Sequence, residues 1–202
     1  DYYGNWKAMQ YQSQRAFAPV LINAIKEGDD LCVYLISDEL QDRDDVRLTV
    51  ELMDFDGKSH GKWTQNGKLT ANTSMLFLKK RVDEFLSKQD AVTSFLRFTL
   101  KAKNGAALAD EVFYFAYPKD QKLPEARIET SVKKRGEAIE MTLKTDKLAR
   151  DIFIEVPVQG VRFSDNFFDL LPGQRKKITI TSPEGYSLKD FTFTLHQLGG
   201  VK

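Results

Sequence analysis

Short runs that alternate apolar with polar residues, each closed by turn chemistry, constrain this chain more than any other feature. In residues 47–53, Leu48, Val50 and Leu52 face one way while Arg47, Thr49 and Glu51 face the other, the period-two pattern of a half-buried strand. Residues 20–25 and 31–37 read as strands joined across Glu27-Gly28-Asp29-Asp30. In the second of them both the Leu31, Val33, Leu35 set and the Cys32, Tyr34, Ile36 set are largely apolar, as in a central strand. Asp56-Gly57 and Asn66-Gly67 predict hairpin turns, because both pairs tolerate the positive φ of primed turns. Lys62-Trp63-Thr64 lies between them. Strands at 75–79 and 95–101, a short helical turn at 82–86, and a reversal at Asn104-Gly105 into 111–117 complete the series. About seven strands in about a hundred residues is the signature of a β-sandwich.

The segment 118–124, PKDQKLP, has neither period and is bounded by prolines, so it reads as a linker. Beyond it, strands are predicted near 127–132, 138–144, 152–158, 177–181 and 191–196. Arg135-Gly136, Gln159-Gly160, Pro172-Gly173 and Pro183-Glu184-Gly185 separate them. The expected division is a helix over 1–18, a sandwich over 19–118, a linker over 119–125 and a second sandwich over 126–202.

The opening segment has the other period. At about 100° per residue, Tyr2, Trp6, Met9, Ser13, Ala16 and Phe17 share one arc of a helical wheel, and Tyr3, Lys7, Gln10, Tyr11, Gln14 and Arg15 fall elsewhere. Pro19 ends the helix by lacking an N–H and biasing Ala18 away from helical φ/ψ. No comparable helix follows. The apolar stripe of Tyr2, Trp6, Met9 and Phe17 is therefore expected to have faced a neighbour, in a chain cut from a larger protein. Without that neighbour the helix should fray, fold back on the first sandwich, or self-associate with another copy.

Chemistry is sparse. The 202 residues carry 30 basic and 29 acidic side chains, which gives no electrostatic case for nucleic acid or an anionic membrane as partner. The composition, 42% hydrophobic and 29% charged, is that of a folded globular chain. No signal peptide is visible, and no apolar run is long enough to span a bilayer. Cys32, the single cysteine, sits in an apolar run and reads as a buried thiol. His60 lies in a glycine-bracketed turn and His196 on the outward register of the last strand, with no nucleophile placed beside either. Asp54-Phe55-Asp56-Gly57 is similar to part of a calcium loop but lacks the later glutamate, so neither a metal nor a cofactor is expected. Asn72-Thr73-Ser74 matches a glycosylation sequon. Trp63, on a polar strand, is the candidate ligand-binding residue, through stacking on a sugar ring.

Two stretches carry a resemblance. Tyr2, Tyr3, Gly4, Trp6, Lys7, Ala8, Tyr11, Arg15, Phe17, Pro19 and Val20 resemble the end of the catalytic barrel in β-mannosidases of glycoside hydrolase family 2. There the last barrel helix runs into a sandwich. Phe163-Ser164-Asp165-Asn166-Phe167-Phe168-Asp169-Leu170-Leu171-Pro172-Gly173 is similar to the signature turn of the terminal immunoglobulin-like domain in the same enzymes. The second motif also reads physically. Pro172-Gly173 suits a type II turn, Phe163, Phe168 and Leu171 are apolar anchors, and Asp165, Asn166 and Asp169 can accept backbone N–H bonds.

The resemblance implies an all-β fold of two tandem immunoglobulin-like sandwiches, preceded by one helix left from a missing (β/α)8 catalytic barrel. It implies a parent that removes terminal β-mannosyl residues with retention, through two barrel glutamates that lie before Asp1. The chain itself is then expected to be catalytically silent, with the barrel as its partner and β-mannosides as the parent's substrates. A periplasmic, secreted or lysosomal setting is suggested by the family alone. Two other readings are a carbohydrate-binding module centred on Trp63 and a tandem adhesion unit.

Overall fold

A two-residue turn at Gly28-Asp29, with Gly28 at φ 63°, joins β1 (Val20–Glu27) to β2 (Asp30–Ser37) in antiparallel register from Val20↔Ser37 to Glu27↔Asp30. β5 (Thr73–Arg81) pairs on the other side of β2 and completes a three-stranded sheet, β1-β2-β5. Opposite it stands a sheet ordered β4-β3-β6-β7, from β3 (Arg43–Asp54), β4 (Ser59–Leu69), β6 (Ser94–Lys101) and β7 (Ala107–Tyr114). Val20, Ile22, Leu31, Val33, Leu35 and Phe77 from the first sheet meet Val46, Leu48, Val50, Leu52, Phe98 and Leu100 from the second, all buried. Each such side chain contributes roughly 1.5–3 kcal/mol relative to exposure. A short helix α2 (Val82–Leu86) adds Phe85, fully buried, to one flank of this core.

The coordinates are a computed structural model that describes residues 4–182, 190–198 and 200–201. The chain divides into two compact units. One runs from Phe17 to Lys122, and the other joins the N-terminal segment through Ala16 to the chain from Leu123 onward. The proline-bounded stretch after β7 is stitched to the first unit as far as Lys122, whose N–H donates to Val92 O at 2.9 Å.

The second sandwich contains β8 (Ile128–Arg135), β9 (Ala138–Thr145), β10 (Ala149–Glu155), β11 (Arg162–Phe163), β12 (Phe168–Leu170), β13 (Arg175–Thr181), β14 (Thr194–Gln197) and β15 (Gly200–Val201). Its sheets are ordered β11-β13-β9-β8 and β12-β10-β14-β15. Ile139, Met141, Leu143, Ile178 and Ile180 face Ile152, Ile154, Phe168, Leu170 and Leu195 across the core. The turn expected at Pro183-Glu184-Gly185 lies outside the described residues.

Two expectations need correction. Asn66-Gly67 is no hairpin turn: it lies inside β4, where Asn66 pairs with Arg47 and Gly67 with Val46. A Cβ on Gly67 would come within 2.6 Å of the Phe77 ring, so the glycine makes room for a core aromatic rather than supplying positive φ. The turn out of β4 uses Asn72 instead, at φ 47°. The opening helix is also shorter than the wheel predicts and presents another side. Gly4 takes φ 79°, and α1 spans only Ala8–Ala16. Trp6 therefore precedes the helix, and Tyr2 lies outside the described residues. Tyr11, off the predicted stripe, is buried at 1% exposure, while Met9 is 79% and Phe17 84% exposed. The helix packs on the second sandwich rather than folding back on the first.

Gly67→Ala is expected to destabilise the chain by about 1–3 kcal/mol through overpacking, read as a lower Tm. Pairing it with Phe77→Leu should recover part of the loss. A loss independent of residue 77 would mean that the glycine serves the backbone instead.

Candidate functional site

The connection from β10 to β12 has strand pairing only at β11, with β13, so its remaining backbone polar groups need other partners. Asn166, 2% exposed, instead covers β10 itself at Ile154, two residues past the last β10–β12 pair, Ile152↔Phe168. Its Oδ1 accepts from Ile154 N–H at 2.8 Å and its Nδ2 donates to Ile154 O at 2.9 Å, so the amide pairs with β10 as a strand residue would. Asp165 Oδ1 accepts from Asn166 N–H at 2.8 Å, and Asp169 Oδ1 from Asp151 N–H at 2.8 Å. Phe168 and Leu171 are buried, and Phe163 packs against the core from its edge. Gln174 N–H closes the Pro172-Gly173 turn on Leu171 O at 2.9 Å, with Gly173 at φ 73°. That is the type II arrangement, with positive φ at the third residue.

Phe167 sits at φ 53°, a strain of roughly 1–3 kcal/mol for a residue with a Cβ. Its ring stacks on Phe153 at 4.5 Å and meets Tyr11 of α1 at 6.0 Å. The carbonyls around this kink point to Arg15. One arm of the guanidinium bonds Asp165 Oδ1 and Asn166 O, and the other donates to Phe167 O at 2.8 Å. Arg15 is suited to this, since its planar fork holds several acceptors in fixed geometry. Lys176 Nζ reaches the other oxygen of Asp165 at 2.7 Å.

The clasp is reciprocal. Asn5 Oδ1 accepts from Gly160 N–H at 3.0 Å, and Arg162 donates to Gly4 O. The Arg162 guanidinium also lies 5.5 Å from the centre of Trp6, which packs edge-on against Tyr11. Burial pushes the Tyr11 phenol above its ordinary pKa, against a hydrogen bond with the Phe163 backbone and the charge of Arg162. The two sequence motifs, about 150 residues apart, thus meet in one place. Of the stripe named from the wheel, Trp6 takes part in this contact while Met9 does not; Tyr11 and Arg15, assigned elsewhere on the wheel, carry it. Reach across the chain is invisible to a helical wheel.

Trp63 has a different setting. Its register partner is Val50, so it lies on the inner face of β4. Phe85 meets its ring edge-on at 5.1 Å and Lys80 Nζ stands 5.0 Å from it. A Cβ on Gly61 would come within 2.7 Å of the indole. A sugar stacking on Trp63 would have to share the ring with these groups. Cys32 is buried. Among the described residues no group of three or more His, Cys, Asp or Glu side chains is arranged to hold a metal ion.

Each histidine pairs with a carboxylate. His196 Nε2 lies 2.8 Å from Glu155 and its ring stacks on Phe153. His60 Nε2 lies 2.7 Å from Asp54 Oδ2, and Asp54 Oδ1 accepts from Lys58 N–H at 2.8 Å. Burial raises the Asp54 pKa, but the bonds from His60 and from backbone N–H groups outweigh it and hold the carboxyl below its ordinary range.

Residues 29–120 match the model of the "Mannosidase Ig/CBM-like domain" family, and residues 123–197 match an "Ig-fold domain" model of mannosidases. The chain is 28% identical over 178 residues to the β-mannosidase of Capra hircus, covering 83% of this chain and 20% of the relative. It therefore spans about a fifth of the length of the curated relatives it matches. The crystal structure of a β-D-mannosidase from Dictyoglomus thermophilum superposes with a TM-score of 0.76 at 23% identity, covering 96% of this chain and 23% of the other. An exo-chitosanase from Amycolatopsis orientalis superposes at 0.67 with 15% identity, covering 99% and 28%. At these identities both likenesses show the fold alone.

Two outcomes are expected. Arg15→Ala should cost about 1–3 kcal/mol by leaving the kink's acceptors without their cation, seen as a lower Tm and faster amide exchange over 160–168. Arg15→Lys should not restore it, since one ammonium cannot span the acceptors. Second, a carboxyl whose folded pKa lies below its unfolded one adds stability above the unfolded value, about 3.9 for Asp, and loses it as pH falls through the folded value. His60→Gln should therefore move the acid limb of an unfolding-versus-pH curve upward. An unchanged limb would show that Asp54 draws nothing from His60.

Proposed function

Because the chain belongs to the immunoglobulin-like region of the glycoside hydrolase family 2 β-mannosidases, we propose that it serves such an enzyme as a non-catalytic, accessory portion. In this reading the whole enzyme hydrolyses β-mannosides at a barrel upstream of the chain. Helix α1 is that barrel's last helix, and the chain's role is to hold the terminal sandwich to it.

The two-sidedness of α1 carries the proposal. Its Tyr11 and Arg15 side is committed to the Phe163–Gly173 connection. Met9, about 200° away around the helix, is left 79% exposed. A single helix placed between two bodies needs an apolar residue on each side, and burying a methionine is worth roughly 1.5–3 kcal/mol. The span of about a fifth of the relatives' length leaves ample chain for the second body. The choice of mannose rests on the sequence relatives, since the same fold recurs in an exo-chitosanase and a fold does not select a sugar.

The test is hydrolysis of a chromogenic β-mannoside by the 202-residue chain. No turnover above the uncatalysed rate is expected. Steady turnover abolished by no contaminant-removal step would overturn the accessory role.

A further inference from the structure

Seven of the ten arginines bring their guanidinium to an acceptor, as Arg43 does on Glu39, Arg81 on Asp83 at 2.8 Å and Arg97 on Asp110 at 2.7 Å. The other three, Arg127, Arg135 and Arg175, are exposed and reach no acceptor among the described residues. All three belong to one place. Arg135 ends β8, Arg175 opens β13 and Arg127 directly precedes β8, in the sheet ordered β11-β13-β9-β8.

The face that Arg135 and Arg175 share is set by register. Val132, Ile139, Met141, Leu143, Ile178 and Ile180 pack into the core, so the alternate residues of β8, β9 and β13 point outward. Three rows cross those strands: Arg175-Lys144-Glu129, Lys177-Thr142-Ser131 and Thr179-Glu140-Lys133, followed by Ala138 beside Arg135. Five bases stand there against two acids, Glu129 and Glu140. Lys177 pairs with Glu140 at 3.9 Å. Arg135, Arg175, Lys133 and Lys144 have no ion pair among the described residues. From Lys144 to Ala138 the track is about 20 Å long, at ~3.3 Å per residue.

An unengaged guanidinium can take an anion without breaking an internal pair, and its planar fork holds an oxyanion through two parallel bonds. The rows hold no aromatic ring on which a base could stack, and no large apolar side chain to enter a bilayer. They do hold Ser131, Thr142 and Thr179, whose hydroxyls both donate and accept, as sugar hydroxyls do. We infer that this face of β8, β9 and β13 binds a linear anionic polysaccharide. Its carboxylates or sulfates sit on the arginine forks and its hydroxyls on Ser131, Thr142 and Thr179. The inference goes beyond the accessory role and does not depend on it.

Affinity electrophoresis of the 202-residue chain through gels containing polygalacturonate, dextran sulfate or neutral dextran tests it. Retardation is expected with at least one polyanion, weakening as salt screens the charges, and none with neutral dextran. Polygalacturonate alone assigns carboxylates, dextran sulfate alone sulfates. Arg127→Ser, Arg135→Ser and Arg175→Ser together should abolish most of the retardation. Lys62→Ser, Lys88→Ser and Lys101→Ser, an equal loss of charge at exposed residues of the first sandwich, should keep it. Both triple variants should melt at the Tm of the parent chain, since none of the six groups has an ion pair among the described residues. No retardation by either polyanion overturns the inference. Equal losses in the two triple variants also overturn it, because net charge alone would then suffice. Displacement of the polysaccharide by a single-stranded oligodeoxynucleotide or by phosphatidylserine vesicles at equal charge overturns the choice of ligand.

Discussion

A backbone that leaves its ladder must find other partners for its amides and carbonyls, and in the terminal sandwich that requirement falls on the connection between β10 and β12. Asn166, within the connection, pairs both ends of its amide with Ile154 and so covers β10 where β12 no longer does. Arg15 meets it from outside by spanning the acceptors around the Phe167 kink. The left-handed conformation of Phe167 is tolerable because its ring is fixed between Phe153 and Tyr11. Strain, hydrogen bonding and aromatic packing at this corner are therefore one arrangement, and the opening helix is part of it.

That arrangement explains why the compact units do not follow the order of the chain. A segment before the first sandwich belongs with the second, since its contacts with residues 160–167 include an arginine fork, a reciprocal arginine and a buried tyrosine. Such a unit has a high sequence separation between its parts, so closing it costs more loop entropy than closing a local one. The helix has one side committed to the second sandwich and leaves a methionine exposed on the other, and the proposed joint between bodies is drawn from that asymmetry.

The first sandwich shows the same economy in its core. Phe77 bulges inward from β5, between the residues paired with Val33 and Tyr34, and Gly67 on the opposite sheet leaves it space. Gln65, next on the inner face of β4, donates to Phe77 O, giving the bulged carbonyl a partner. Trp63 continues that inner row against Phe85. A tryptophan flanked in sequence by lysine and threonine looks exposed, yet strand register turned it inward.

Alternation and turn chemistry, read along the chain, were enough for an all-β fold, for the core sets Leu48-Val50-Leu52 and Ile139-Met141-Leu143, and for the reversals at Gly28, Gly57 and Gly136, because each depends on residues within a few positions of one another. The two motifs that mark the family were legible for the same reason. Their meeting was not, nor were the true role of Gly67 and the inward side of α1. Those depend on which residues lie across a gap of ten to one hundred and fifty positions. A periodicity measures the angle of a side chain about its own element, and only packing decides what stands opposite it.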